Sequence, residues 1–148
     1  MIEDFLSANK LDAEFFSFDG AVSIKKALFE TQTQFSSVAK AEFYVNNSGE
    51  EFLFVFPFNS KLELSKLKQL TKSSELVSPD PEVTLDATGY AKGFLPPVSI
   101  YGVKVFLDKS LENKNYLFFQ VGENSFLKIS PDSIIEANED SSIAIISK

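Results

Sequence analysis

The sequence predicts an α+β protein, a mixed β-sheet surrounded by short helices, and three observations predict it. Two stretches with apolar residues at alternate positions flank Asn46-Asn47-Ser48-Gly49, a hairpin signal. Short segments with apolar residues three and four apart stand among the strands, without the regular alternation of a parallel βαβ fold. The chain has 148 residues, 44% hydrophobic and 24% charged, with no repeat and no long linker. That length suits one core, so residues 1–148 are read as a single domain.

The elements follow in order. Residues 2–9 read as a helix with Ile2, Phe5 and Leu6 on one side, and 13–18 as a short strand. Residues 21–31 look helical, with Val22, Ile24, Ala27 and Leu28 inward and Lys25 and Lys26 outward. Residues 38–45 form a strand in which Ala41, Phe43 and Val45 oppose Lys40, Glu42 and Tyr44. After the turn, residues 51–58 return with Phe52, Phe54, Phe56 and Phe58 on one face, a stripe that reads as core.

Residues 60–72 are predicted as a helix capped by Ser60 and buried through Leu64, Leu67 and Leu70. On such a helix Lys61, Lys68 and Lys72 fall within about 40° of one another. They are either a solvated face or a phosphate-tracking patch. Pro81 opens a helix running to about residue 87. Strands are expected at 103–107, 116–121 and 125–129. Ser130-Pro131-Asp132 starts a helix to residue 137, and 143–146 closes the chain as a strand.

Composition removes much chemistry. The chain has no Cys, His, Trp or Arg, and all 14 basic residues are Lys. No disulfide, cysteine nucleophile, His-containing triad or histidine zinc site can be built. A carboxylate-only Mg²⁺ or Ca²⁺ site stays open, but no acidic run has the spacing of a Ca²⁺ loop, and no metal or cofactor is assigned. An enzyme made of this chain works with Lys, carboxylates, hydroxyls, backbone dipoles or groups on its substrate. The net charge of −7 argues against broad nucleic-acid binding, so DNA is not an expected partner, while a local patch gripping an RNA end stays open. The start of the chain is acidic and amphipathic, and no apolar run is long enough to span a bilayer. A cytoplasmic protein without a membrane partner is the expectation.

Residues 86–102 are the most informative stretch, with three of the six glycines and two of the six prolines. Glycine lets backbone approach a ligand and proline fixes φ, so such a loop presents N–H groups in set directions. It is read either as a connection or as a ligand-facing loop.

The order of motifs resembles the YbaK/ProX family of aminoacyl-tRNA deacylases, which includes the editing domain inserted in bacterial prolyl-tRNA synthetases. The residues that carry the resemblance are Val38-Ala39-Lys40 opening a strand, Thr88-Gly89-Tyr90-x-x-Gly93, Pro97, a strand ending in Asp108, the Val121-Gly122 turn, and Leu127-x-Ile129-Ser130-Pro131. The resemblance implies hydrolysis of the ester linking a wrongly attached amino acid, such as Cys or Ala on proline tRNA, to the terminal ribose.

Within the family pattern, the strand-opening lysine matches Lys40 and the Gly-x-x-x-Pro loop matches 93–97. The resemblance therefore implies Lys40 and Gly93 as catalytic residues, and Gly89, Phe94, Pro97 and Ser125 as substrate-binding. Lys40 would anchor the tRNA end, and loop N–H groups would stabilise the oxyanion as water attacks. By its residue type and position alone, Lys40 reads as a snorkelling surface lysine. The implied partners are the aminoacyl-tRNA acceptor end and an aminoacyl-tRNA synthetase that delivers it.

The loop also departs from the family's Gly-Gly-x-Ser-Pro: Phe94 replaces the second Gly, Pro96 the Ser, and Ser99 a later Gly. Ser125 stands where some alanine-editing members carry His. A second reading therefore stays open, a non-catalytic relative that binds an aminoacyl-tRNA end or a partner protein.

Overall fold

A computed structural model describes residues 2–148. Its centre is the hairpin of β2 (Ala39–Asn46) and β3 (Glu51–Pro57), paired from Ala39↔Pro57 to Val45↔Glu51. The turn is closed by Asn46, whose Oδ1 accepts from the Ser48 and Glu50 N–H groups at 3.0 and 2.8 Å. Gly49 supplies the positive φ, +83°, that the turn needs.

Around this hairpin the five-stranded mixed sheet runs β4-β2-β3-β5-β8. Here β4 is Leu76–Val77, β5 Lys104–Asp108 and β8 Ser141–Ala144; β5 lies parallel to both β3 and β8. A second, antiparallel sheet joins β1 (Ala13–Ser17), β7 (Ser125–Ile129) and β6 (Leu117–Gln120), in the order β1-β7-β6. One parallel bridge, Val38↔Phe118, ties it to the start of β2.

Period-two patterning gives the larger sheet two different faces. Ala39, Ala41, Phe43, Leu53, Val55, Val105 and Leu107 face the main core with helix α1 (Ile2–Asn9), through Ile2 and Leu6. Phe52, Phe54, Phe56 and Phe106 face a second cluster with Leu67 and Ile146. Phe52–Phe54 and Phe54–Phe106 stack with centroids 6.1 and 5.6 Å apart. The expected aromatic stripe is core for its first three members. Phe58 lies past the end of β3 and is 38% exposed, because the chain turns at Pro57, whose carbonyl accepts from Ser60 N–H.

Side chains cap three helices, and the one expected from residue 21 starts only at Ile24. Ser23, Asp80 and Ser130 accept from the N–H groups of Lys26, Val83 and Ser133 at the starts of α2 (Ile24–Glu30), α4 (Pro81–Thr88) and α5 (Pro131–Ala137). The expected Ser60 cap is corrected. Helix α3 begins only at Leu64 and runs to Thr71, without a side-chain cap.

Residues 61–63 are held elsewhere: Lys61 and Lys148 exchange N–H···O bonds of 3.2 and 2.9 Å, and Glu63 N–H reaches Ile146 O. The Lys61 carbonyl takes the Lys148 N–H instead of a helical donor four residues on, and Glu63 is extended (φ −97°, ψ 98°), so the first helix turn follows Glu63. The three-lysine stripe dissolves with it, since Lys61 precedes α3 and Lys72 is its left-handed C-cap. Leu67 is buried, while Leu64 and Leu70 stay exposed. The closing strand falls two residues earlier than expected, because Ile146 and Ser147 turn their N–H groups to the buried Asp108 carboxylate.

Candidate functional site

Lys40 is the second residue of β2, and the pleat decides where it points. Ala39 and Ala41 turn into the main core, so Lys40 rises from the other face, directly across from Phe56. Its Nζ lies 5.1 Å from the Phe56 centroid and 5.6 Å from that of Phe58. Such contacts contribute about 0.5–1 kcal/mol at exposed sites. The residue is half-buried, and among the described residues no carboxylate lies within ion-pairing distance of it. Ring faces hold this charge without neutralising it. Farther along the same face, burial pushes the Tyr44 hydroxyl pKa up to about 12, helped by the Glu42 carboxylate that accepts its hydrogen bond at 3.2 Å.

The Gly/Pro loop starts at Gly89, the left-handed C-cap of α4, whose N–H bonds Leu85 O at 2.8 Å. Gly93 is exposed with φ +98°. Leu95, Val98 and Ile100 are buried in the main core beside Ala39 and Ala41 and hold the loop down. Pro97 is buried, and its carbonyl accepts from Asn138 Nδ2 at 3.0 Å. Phe94 is half-buried.

Across residues 91–103, among the described residues, one backbone N–H alone is donated within the chain: Phe94 to Ala91 O at 2.9 Å. Pro96 and Pro97 have none to give. Gly93 and Leu95 are therefore the two donors left within 93–97. A loop this poor in internal partners leaves its amides for a ligand or solvent.

The structure gathers Gly89, Gly93, Phe94 and Pro97 in one loop. It sets the Lys40 ammonium on the face of the sheet opposite to that loop's buried anchors. Ser125 opens β7 in the other sheet, with its Oγ on Asn124 Oδ1 at 3.1 Å, and its polar contacts stay within that turn.

Two features were not found from sequence. Ser99, which replaces a glycine of the family pattern, keeps a left-handed φ of +72°, with its Oγ 2.9 Å from the Tyr90 hydroxyl. Phe35 stands edge-on to Phe58, centroids 6.0 Å apart, beside Lys40. Phe35 sits in a 3₁₀ turn, Phe35–Ser37, whose sequence signal is a lone aromatic in a polar stretch.

A cavity of about 880 Å³ lies elsewhere, at the hairpin-turn end of the sheet. Glu50, Glu51, Glu136, Glu139 and Asp140 line it around Lys104. Such a wall repels phosphates, and the cavity holds neither Lys40 nor the 93–97 segment. Among the described residues no group of three or more acidic side chains converges to hold a metal ion, and no helix is long and apolar enough to cross a membrane.

Comparison with known proteins bears on this arrangement. A family model described as "Aminoacyl-tRNA editing domain" matches residues 20–136. The fold superposes on the crystal structure of a hypothetical protein, APE2540, with TM-score 0.86 at 21% identity, covering 99% of both chains. It also superposes on a candidate trans-editing enzyme for prolyl-tRNA synthetase, with TM-score 0.83 at 19% identity, over 99% of this chain and 94% of that one. A scaffold protein from epitope-grafting work gives TM-score 0.86 at 18% identity, with the same coverage as the candidate trans-editing enzyme. No curated protein matches the sequence.

Proposed function

Since the chain belongs to the aminoacyl-tRNA editing domain family, we propose that it is a trans-editing hydrolase of mischarged aminoacyl-tRNA. The substrates are Cys- or Ala-tRNA(Pro)-like esters, met in the cytoplasm as free tRNA or with a synthetase. The observation that carries this reading is the run of unspent amides at 91–103, with Gly93 and Leu95 free inside the Gly-x-x-x-Pro segment.

In this mechanism water attacks the ester carbonyl, and the Gly93 and Leu95 N–H groups receive the developing oxyanion. A ribose hydroxyl of the substrate orients the water and relays its proton, passing its own to the departing ribose oxygen as it takes the water's. The C–O bond to the ribose then breaks, and the departing ribose oxygen is protonated. Lys40 anchors the tRNA end through its uncompensated charge. Phe94, half-buried beside Gly93, borders the amino-acid pocket, Gly89 and Pro97 fix the two ends of the binding loop, and Ser125 bears on which aminoacyl group is accepted. An aminoacyl ester is already reactive, so positioning and charge stabilisation suffice without a protein nucleophile.

One observation favours a second reading, a binding protein without catalysis. Pro96 offers no N–H, and Phe94 spends its own on Ala91. Release of radiolabelled amino acid from Cys-, Ala-, Ser- and Pro-tRNA(Pro), and from Ala and Ser on other tRNAs, separates the two. Hydrolysis of one mischarged species with Pro-tRNA(Pro) spared supports the enzyme. No release at high protein concentration overturns it in favour of the binding protein.

A further inference from the structure

Phe35 and Phe58 are large apolar side chains left 51% and 38% exposed at one end of the five-stranded sheet. They are not loosely placed. Phe58 N–H bonds Val38 O at 3.0 Å, and Phe35 O accepts from Val38 N–H at 3.0 Å, so both rings hang from the residue that precedes β2. Their planes meet at 80°, and the Lys40 ammonium sits over Phe58. Lys61 is exposed three residues beyond Phe58, and its backbone is fixed by the paired bonds to Lys148.

An apolar partner alone would not suit this corner, because it would desolvate an ammonium with no carboxylate beside it. Ring faces next to a held ammonium, with a second lysine close in sequence, suit an unpaired nucleobase followed by its phosphates. The chain's net charge of −7 makes such a local arrangement necessary for any RNA contact.

We propose that Phe35 and Phe58 form a stacking platform for the unpaired terminal base of a tRNA acceptor end, with Lys40 and Lys61 on the flanking phosphates. The proposal rests on the editing reading for the identity of the RNA. It adds the subsite that holds the end while the loop acts on the ester.

The test is fluorescence-anisotropy binding of an RNA hairpin ending in single-stranded CCA, against the same hairpin with an abasic terminal nucleotide. Wild-type protein is expected to prefer the intact end by about tenfold. Phe35→Ala and Phe58→Ala variants lose that preference with unchanged salt dependence, and Phe58→Tyr keeps it. Lys61→Gln lowers the salt slope by about one while keeping the preference. Equal wild-type affinity for the two ends, absence of RNA binding, or undiminished preference in both alanine variants overturns the platform and leaves the rings to a protein partner. Amino-acid release measured alongside keeps the two ideas apart. Hydrolysis without base preference removes the platform alone, and base preference without hydrolysis removes the enzyme alone.

Discussion

The hydroxyls of Tyr90 and Ser99 lie 2.9 Å apart and close the Gly/Pro loop upon itself. Ser99 pays for this with a left-handed backbone, φ +72°, a conformation that costs a residue with a Cβ about 1–2 kcal/mol. A hydrogen bond of this kind returns about 1 kcal/mol. Ser99→Gly is therefore expected to leave stability within about 1 kcal/mol of wild type, since it relieves strain while breaking the bond. Tyr90→Phe should cost about 1 kcal/mol in the wild type and nothing in the Ser99→Gly background. Urea denaturation of the four proteins measures the coupling, and additive effects would show that the two hydroxyls do not support each other.

Gly93 gives the cleaner test of the loop. A Cβ added there meets nothing within 4 Å, yet φ is +98°. Gly93→Ala therefore carries backbone strain without a clash, about 1–2 kcal/mol. If the loop relaxes to escape the strain, its amides turn away from the substrate. The expected result is a folded protein whose deacylation rate falls at least about tenfold. Full activity would remove Gly93 from the site.

Local rules made much of this fold legible, and long-range pairing hid the rest. The hairpin was readable because alternation and an Asn-rich turn agree, α1 because of its apolar spacing, and α5 because Ser130-Pro131 opens it. Helix α3 was misplaced at its start because Lys61 and Glu63 bond to residues 146–148, a contact more than 80 positions away that no local pattern records. The second sheet was invisible for the same reason, since β1 pairs with β7 across the length of the chain. At the site, motif spacing singled out Lys40 and the loop. The Phe35–Phe58 corner depends on where β2 and β3 end in space, and Tyr90–Ser99 on the path of the loop between them.

Lys40 separates a structural lysine from a functional one. Its contacts with Phe56 and Phe58 predict that Lys40→Ala costs no more than about 2 kcal/mol in stability. Under the proposed mechanism the same change abolishes deacylation. Lys40→Arg keeps the charge and stacks on the rings, yet moves the point charge, so partial activity is expected. Single-turnover release beside thermal melts decides it. A fully active Lys40→Ala protein would make this residue a snorkelling lysine and nothing more.

Tyr44 predicts a pH effect whose sign follows from its surroundings. Burial, then the nearby Glu42 charge and hydrogen bond, raise its pKa from 10.0 to about 12. The fold thus prefers the protonated phenol. Its contribution is complete below about pH 10, where the unfolded phenol is also protonated, and is lost as pH rises toward 12. Ultraviolet titration should show one of the four tyrosines ionising last, and Tyr44→Phe should remove that step. A late step that survives the substitution belongs to another tyrosine.

Asp108 ends β5 with a buried carboxylate that accepts at both oxygens. Oδ1 takes the N–H groups of Ile146 and Ser147 at 2.9 and 3.1 Å, and Oδ2 takes the Ser110 N–H at 3.3 Å and the Ser110 hydroxyl. Asp108→Asn sets an NH₂ against either the Ile146 and Ser147 N–H groups or that of the exposed Ser110, and removes the charge they all meet, at about 1–3 kcal/mol. The loss should be local before it is global. Residues 146–148 also carry the bonds to Lys61 and Glu63, so their release frees the segment between Phe58 and α3 as well. Hydrogen exchange should quicken first at Ile146, Ser147, Lys61 and Glu63, with β2 and β3 amides still protected. Uniform loss of protection across the sheet would instead make Asp108 part of the global folding core.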